Sequence, residues 1–216
     1  PITDSAIVIS SMVDAVMLRL SSHEDIIEFS KHSTKPVINA LSDESHPCQI
    51  LADLMTYQEQ RGSIKGKKIA WIGDGCNVCQ TYMQAANIFD FSLSIATPEG
   101  YEPSQSYVDK YQDNVEYFNK PLDACVDADI IVTDVWTSMG QESEQKEREL
   151  AFKGFQVDKE MMSKAKNDVI FMHCLPAYRG KEVSADVIDG KQSVVWDEAE
   201  NRLHVQKALL LYLIEN

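Results

Sequence analysis

Residues 67–97 read KKIAWIGDGCNVCQTYMQAANIFDFSLSIAT, and this stretch decides the fold. It contains an apolar run at Lys68–Ile72, a turn with two glycines, a helical stretch at Val78–Phe89 and a second apolar run at Leu93–Thr97. Short apolar strands that alternate with helices are typical of a parallel sheet with crossover helices. The stretch therefore predicts an α/β fold.

The same alternation continues on both sides of this stretch. Toward the C-terminus it predicts strands at Val115–Phe118, Ile130–Thr133, Val169–Met172 and Ser193–Trp196. It also predicts helices at Ser104–Tyr111, Leu122–Asp127 and Ala199–Ile214 and a long helical region between Glu144 and Lys166. Toward the N-terminus it predicts helices at Asp4–Met12, His23–His32 and from Pro47 to before Gly62, and strands at Ala15–Arg19 and Pro36–Asn39. The best domain boundary is the two-glycine segment Arg61–Lys67.

Composition and charge exclude several classes of protein. Of the 216 residues, 44% are hydrophobic and 25% charged, as in ordinary globular domains. The 20 basic and 34 acidic residues leave a net charge of −14, which repels phosphate backbones, so we expect no nucleic-acid partner. The apolar run Ala208–Ile214 is far shorter than the roughly 20 residues of a membrane span, so we expect no membrane partner.

The five cysteines are odd in number and scattered, which indicates a reducing compartment, and we expect the cytoplasm. No targeting peptide is visible at the N-terminus. Because position 1 is proline and not methionine, we expect the chain to be a fragment.

Gly73 and Gly75 follow the first strand of the deciding stretch. Glycines between a strand and a helix suggest a dinucleotide fingerprint, in which the backbone approaches a pyrophosphate. The third position of that pattern is Val78, and no clear acidic residue ends the next strand. A tight strand-to-helix turn explains the glycines as well as a cofactor does.

Cys76 and Cys79 form a Cys-x-x-Cys pair at the start of the same helix. A closed structural zinc site takes four ligands, and no second pair lies at a suitable spacing. We therefore predict that Cys79 faces the sheet as a small hydrophobe and that Cys76 lies in the turn.

Two later strand ends carry side chains that could act chemically. Ligands of open α/β sheets bind beyond the carboxyl ends of the strands. Asp134 follows one strand and precedes a loop with Ser138 and Gly140, where its carboxylate could accept loop N–H bonds or bind a cation. His173 and Cys174 follow another strand, either as a buried, satisfied histidine or as a functional pair.

The first segment of the chain supplies candidate anion ligands. His46 and Gln49 lie at a helix N-terminus, where unpaired N–H groups favour carbonyl or phosphate oxygen, although ordinary N-capping is the alternative. Arg19 follows a strand and Arg202 lies near the start of the last helix. Each arginine taken alone is more often a partner in a surface ion pair.

Five motifs in one order connect these candidates: HPCQ at 46–49, GDGCN at 73–77, DVWTSMG at 134–140, HCLP at 173–176 and AENR at 199–202. Together they resemble the ornithine carbamoyltransferase family over essentially the whole chain. Aspartate enzymes typically carry His-Pro-Leu-Pro in place of His-Cys-Leu-Pro.

The resemblance implies two parallel-sheet α/β domains, the first of them incomplete. Residues 1–61 would be the C-terminal part of the domain that binds carbamoyl phosphate, residues 62–198 the domain that binds ornithine, and residues 199–216 a helix that packs back on the first domain. It also implies transfer of the carbamoyl group to the side-chain amine of ornithine, giving citrulline and phosphate, in a homotrimer without cofactor or metal.

The resemblance further implies a role for each candidate. The residues that contact carbamoyl phosphate would be Arg19, His46, Gln49 and Arg202. Those that hold the amino-acid end of ornithine would be Asn77, Asp134, Ser138 and Met139. Cys174 and the Leu175 carbonyl would lie near the reacting groups, with a cis peptide between Leu175 and Pro176.

Two departures from the family pattern stand out. The phosphate-binding Ser-x-Arg-Thr-Arg loop does not occur in the 216 residues, so we expect these residues alone to bind carbamoyl phosphate poorly and to turn over little. Cys76 replaces a common Asn, which changes the pocket wall. Three other functions stay open: carbamoyl transfer to another amine such as putrescine, a non-catalytic binding or assembly subunit, and a nicotinamide-dependent dehydrogenase.

Overall fold

Two parallel sheets form the framework of the chain. This computed structural model describes residues 1–138 and 140–215. The smaller sheet pairs β1 (Val16–Arg19) with β2 (Val37–Leu41). The larger sheet has the order β5-β4-β3-β6-β7, formed by β3 (Lys68–Ile72), β4 (Ser92–Ala96), β5 (Val115–Tyr117), β6 (Ile130–Thr133) and β7 (Ile170–His173). All neighbouring strands are parallel, which confirms the predicted fold class.

Helices connect the strands and cover both faces of the larger sheet. In chain order they are α1 (Ile2–Ser10), α2 (His23–His32), α3 (Pro47–Arg61), α4 (Asn77–Phe89), α5 (Gln105–Lys110), α6 (Pro121–Ala124), α7 (Gln145–Ala151), α8 (Lys159–Lys164), α9 (Ala185–Ile188) and α10 (Val195–Glu215). A short 3-10 helix at Glu142–Glu144 precedes α7. Within the described parts of the chain, none of the helices combines the length and the apolar character that a bilayer crossing requires.

The central strand β3 explains why the deciding stretch is so apolar. Ile69 and Trp71 belong to the core on one face of the sheet, where they meet Tyr82 of α4. Ala70 belongs to the core on the opposite face, together with Phe152. A strand that is buried on both faces needs a continuous apolar run rather than an alternating one.

The predicted strand Ser193–Trp196 is wrong. Only Ser193 makes a parallel bridge, with Phe171, and the helix α10 already begins at Val195. Val195 is fully buried at the start of that helix. A short apolar run does not distinguish a strand from a buried helix start, which is why the periodicity misled here.

The region 144–166 forms two short helices rather than one long helix. Gly154 has a φ of +95° between them, in the left-handed region that ends a helix. The chain then runs extended, and Val157 bridges to Val183. The short helix α9 was not predicted.

The last helix lies along α3. Asn201 donates hydrogen bonds to Thr56 Oγ1 at 2.9 Å and to Glu59 Oε2 at 2.7 Å. Gln60 donates to Asp197 Oδ2 at 2.8 Å. This packing joins the C-terminal part of the chain to the helix that follows the smaller sheet.

Candidate active site

The ends of three neighbouring strands meet the first segment of the chain at one cavity. Because β3, β6 and β7 are adjacent and parallel, the residues after their carboxyl ends share one edge of the sheet. The cavity has a volume of about 250 Å³. It is lined by Arg19, Leu41, His46, Asn77, Val78, Asp134, Val135, Thr137, Ser138, Cys174, Leu175, Pro176, Tyr178 and Arg202.

Most of the residues selected from sequence line this cavity. Eight of them do so: Arg19, His46, Asn77, Asp134, Ser138, Cys174, Leu175 and Arg202. Gln49 does not line the cavity but is fully buried next to it, where its Oε1 accepts a hydrogen bond from Arg202 at 2.7 Å. Met139 lies outside the described residues.

The glycine turn after β3 packs against protein backbone. A Cβ atom on Gly75 would lie 2.2 Å from the backbone nitrogen of Pro103, and Gly75 N–H donates to the Tyr101 carbonyl at 2.8 Å. Gly73 has a φ of +138°, which a side chain rarely adopts. Of the two interpretations of these glycines, the structure favours the tight turn, because another loop fills the space that a pyrophosphate would need beside Gly75.

The cysteines of the Cys-x-x-Cys pair occupy the predicted positions. Cys79 is fully buried in the core, and Cys76 is the N-cap residue of α4. Cys76 Sγ lies 3.8 Å from Asp134 Oδ2. Burial, and then the carboxylates of Asp134 and Asp74, raise the pKa of the Cys76 thiol well above its usual value, so this thiol stays protonated.

Asp134 is a buried carboxylate that accepts hydrogen bonds from a thiol and from its own loop. Cys174 Sγ donates to Oδ1 at 3.0 Å, and the Val135 N–H donates to the same oxygen at 2.7 Å. Burial and the Asp134 carboxylate raise the pKa of Cys174 well above its usual value. Cys174 is therefore a neutral hydrogen-bond donor at physiological pH rather than a thiolate nucleophile.

One group in the described residues could hold a metal ion. The ligand atoms of Asp134, His173 and Cys174 lie within 4.8 Å of one another. A metal would have to displace the thiol proton that now bonds to Asp134, against the raised pKa of that thiol. That the protein works without a metal stays a prediction.

His173 holds the turn that follows β7. It is 1% exposed, its Nδ1 accepts a hydrogen bond from Leu175 N–H at 2.9 Å, and its Nε2 lies 3.3 Å from Glu182 Oε1. Of the two sequence interpretations of this histidine, the structure favours the buried polar group. The cis peptide between Leu175 and Pro176 is confirmed. Glu182 was missed, because an isolated acidic residue in a polar stretch gives no sign that it is buried.

The cationic half of the cavity combines two arginines with a neutral histidine. His46 is the N-cap residue of α3, and its Nε2 lies 3.3 Å from Arg202 Nη1. Burial, Arg202 and Arg19 lower the pKa of His46 to about 3. The ring is therefore uncharged at neutral pH, and it offers one N–H donor without adding a third cation.

The loop after β6 is held by a buried arginine on α7. Arg148 is 7% exposed, and its Nη1 donates to Asp74 Oδ2 at 2.7 Å and to the Trp136 carbonyl at 3.0 Å. Ser138 N–H donates to Gln141 Oε1 at 3.0 Å. Sequence reasoning missed Arg148, which lies in a highly charged stretch that reads as a solvated helix face.

Two parts of the chain match families of known proteins. Residues 65–213 match the family described as aspartate/ornithine carbamoyltransferase, Asp/Orn binding domain. Residues 1–59 match the family described as aspartate/ornithine carbamoyltransferase, carbamoyl-P binding domain.

Individual relatives give the same result in sequence and in structure. The ornithine carbamoyltransferase of Ruthia magnifica subsp. Calyptogena magnifica is 63% identical over 214 residues, which cover 99% of this chain and 72% of that protein. The structure of ornithine carbamoyltransferase from Pyrococcus furiosus is 50% identical, with a TM-score of 0.95 over all of this chain and 71% of that one. The structure from Burkholderia thailandensis is 51% identical, with a TM-score of 0.92 over 99% and 70% of the two chains. On both the family matches and these identities, the chain belongs to the ornithine carbamoyltransferase family.

Proposed function

We propose that the protein transfers the carbamoyl group of carbamoyl phosphate to the side-chain amine of ornithine, giving citrulline and phosphate. The observation that carries this proposal is the polarity of the cavity. Arg19 and Arg202 line it together with the Asp134 carboxylate and its thiol partner, Cys174. An acyl phosphate such as carbamoyl phosphate at the cationic end and an amino acid with its α-ammonium near the carboxylate would satisfy both ends at once.

The cationic end fits the charge that develops during carbamoyl transfer. Attack of an amine on the carbamoyl carbon places negative charge on the carbonyl oxygen of a tetrahedral intermediate. Arg19, Arg202 and the neutral His46 ring supply donors for this oxygen and for the phosphate, and the N–H groups at the start of α3 add to them. The step requires no covalent enzyme intermediate.

The attacking amine must first lose its proton. A lysine-like amine has a pKa of about 10.4, so only about one molecule in 2,500 is neutral at pH 7. Arg19 and Arg202 disfavour a further cation at their end of the cavity, and desolvation acts in the same direction. The departing phosphate can accept the proton that the amine loses as the new C–N bond forms.

The opposite end fits an α-amino acid. We propose that Asp134 pairs with the α-ammonium group and that Asn77, Ser138 and Met139 complete the recognition of the amino-acid end. Cys174 and Leu175 line the same cavity, and we propose that the Cys174 thiol and the Leu175 carbonyl face the reacting amine. The neutral thiol of Cys174 keeps the Asp134 carboxylate oriented through its 3.0 Å hydrogen bond.

A substrate panel tests the proposal directly. The protein, expressed from its complete reading frame, should form carbamoylated product fastest with ornithine. N-acetylornithine lacks the α-ammonium group, and putrescine lacks both α-substituents, so each should react slowly. Equal or faster turnover of putrescine or aspartate would exclude the ornithine assignment, and no turnover with any amine would favour a non-catalytic subunit.

We also propose a domain division, a cellular location and an oligomeric state for the protein. The division into residues 1–61, 62–198 and 199–216 is supported by the two separate sheets and by the packing of α10 on α3. A cytoplasmic location is supported by five free cysteines, which suit a reducing compartment. A homotrimer is our assignment of the oligomeric state, and light scattering after gel filtration measures it. The weak activity expected of the 216 residues alone stays a prediction.

A further inference from the structure

A pair of carboxylic acids is buried directly behind the cavity, where the proposed function uses neither. Asp53 of α3 is 3% exposed and Glu198 of α10 is 1% exposed. Both meet the same amide nitrogen: Gln49 Nε2 donates to Asp53 Oδ1 at 2.8 Å and to Glu198 Oε1 at 2.9 Å. The two N–H groups of the Gln49 amide are thus both used, and only its carbonyl oxygen is left for the cavity side.

The other oxygen of each acid also accepts a hydrogen bond. Tyr82 O–H donates to Asp53 Oδ2 at 2.6 Å, and the backbone N–H of His173 donates to Glu198 Oε2 at 2.9 Å. All four carboxyl oxygens therefore accept a hydrogen bond from a neighbouring donor. A proton held by the pair therefore lies between the two oxygens that meet at Gln49, Asp53 Oδ1 and Glu198 Oε1.

Two buried carboxylates this close together cannot both carry a full charge. Burial raises the pKa of Asp53, and burial together with the Asp53 charge raises the pKa of Glu198 well above its usual range. The titratable side chains that bear on the pair are Tyr82 of α4, which bonds to Asp53, Arg202 of α10, whose charge lowers the pKa of Asp53, and Cys174 after β7, whose pKa the Glu198 charge raises. Only Arg202 is a cation at neutral pH.

We infer that Asp53 and Glu198, holding one proton between them, are positioning residues that fix the amide of Gln49 with its oxygen toward Arg202 and the carbamoyl group. Arg202 Nη1 donates to this oxygen at 2.7 Å. The oxygen keeps a second lone pair, which can accept from the amide N–H of a bound carbamoyl group. The inference rests on the proposed function, because the carbamoyl group is the substrate part that this oxygen would meet.

Replacing either acid by its amide should affect Gln49 in different ways. In E198Q, the backbone N–H of His173 still needs an acceptor, so the oxygen of the new amide must face it. The NH₂ group of the new amide then faces Gln49 Nε2, and two donors oppose each other. The Gln49 amide then flips and turns its NH₂ toward the Arg202 cation. In D53N, the oxygen can stay against Gln49 while the new NH₂ faces Tyr82, whose hydroxyl accepts as well as donates.

Steady-state kinetics of citrulline formation separate these outcomes. In E198Q, kcat/KM for carbamoyl phosphate should fall at least tenfold, as expected for a buried hydrogen bond replaced by a donor conflict, while KM for ornithine stays within about twofold. In D53N, kcat/KM for carbamoyl phosphate should fall no more than about threefold. D197N changes an exposed neighbour that accepts a hydrogen bond from Gln60 and should match the wild type.

Each result has a defined meaning. Equal losses of kcat/KM in E198Q and D53N, or losses proportional to the fall in the Tm of each variant, would overturn the inference. The proposed function would still stand, because the wild type forms citrulline. Absence of citrulline formation in the wild type would overturn the proposed function instead.

An infrared measurement decides the case if E198Q does not fold. The wild type should show the carbonyl stretch of a protonated carboxylic acid at neutral pH, and D53N should shift or remove this band, because Glu198 then no longer shares its proton with a neighbouring carboxylate. A wild type without such a band, or a band that persists unchanged in D53N, would show that the pair shares no proton and would overturn the inference.

Discussion

Replacing Arg148 by methionine should destabilise the fold more than any surface charge change. The substitution keeps an unbranched side chain of similar length but removes the guanidinium that pairs with Asp74 at 2.7 Å and with Glu144 at 3.0 Å. Asp74 is 7% exposed and would keep a buried carboxylate without its cation. Removing one partner of a buried pair costs about 3–5 kcal/mol.

This cost sets the size of the expected shift in a thermal melt. For a domain of about 150–250 residues, 1 kcal/mol moves Tm by about 2–4 °C, so R148M should melt about 6–20 °C below the wild type. R179M is the matched control, because Arg179 pairs with Asp189 on the surface, where such pairs contribute about 0–1 kcal/mol. The double variant R148M/D74N should recover much of the loss, since it leaves no uncompensated charge.

The pH dependence of R148M has a defined sign. Burial raises the pKa of Asp74 even with Arg148 beside it, and the variant removes the cation that opposes this rise. The folded state then binds the Asp74 proton more tightly than the unfolded state does, so stability falls as pH rises above the ordinary value of about 3.9. The deficit against the wild type should therefore shrink toward acid pH. If R148M melts like R179M, or its deficit grows on acidification, the carboxylate of Asp74 does not depend on Arg148.

Three further predictions follow from the cavity and its supporting turns. In D134N, kcat/KM for ornithine should fall about 10- to 150-fold, because charge-assisted hydrogen bonds contribute about 1.5–3 kcal/mol, whereas the slow reaction of putrescine should change little. In G75A, a Cβ atom 2.2 Å from Pro103 N should lower the free energy of unfolding by about 1–3 kcal/mol in urea titration. In C174S, the pH profile of kcat/KM should keep its shape, because the raised pKa of Cys174 leaves no thiolate to lose; a missing alkaline limb would contradict this.

The candidate site was largely predictable because one rule of sheet geometry applied to it. Asp134 and Cys174 are far apart in sequence, but each follows a strand of a parallel sheet, and β6 and β7 turned out to be neighbours. Their contact at 3.0 Å follows from that adjacency. Alternating strand and helix patterns therefore located both the fold and the edge that carries the ligands.

The groups that support the site were not predictable in the same way. Arg148, Glu182 and Glu198 are buried, but each lies in a stretch whose composition reads as solvent-exposed. Their burial depends on partners contributed by other elements, among them Asp74 for Arg148 and the His173 ring and backbone for the two glutamates. Local periodicity contains no information about such pairs, so they appear only when the strands are in place.

The polarity of the cavity has a consequence for which amine of ornithine reacts. Both amines are cationic in water, and both could in principle reach the carbamoyl carbon. With ornithine reversed, the side-chain ammonium would face Asp134 and the α-amine would face Arg19 and Arg202. One ion pair at about 4 Å contributes about 4 kcal/mol at an effective dielectric constant of 20, so the ammonium that contacts Asp134 keeps its proton. The bonds proposed for Asn77 and Ser138 with the amino-acid end would be lost in that orientation. In the proposed orientation, Asp134 would select the reacting amine by holding the other one charged, and D134N should form a measurable share of α-carbamoylated product. Exclusive citrulline formation by D134N would show that shape alone sets the orientation.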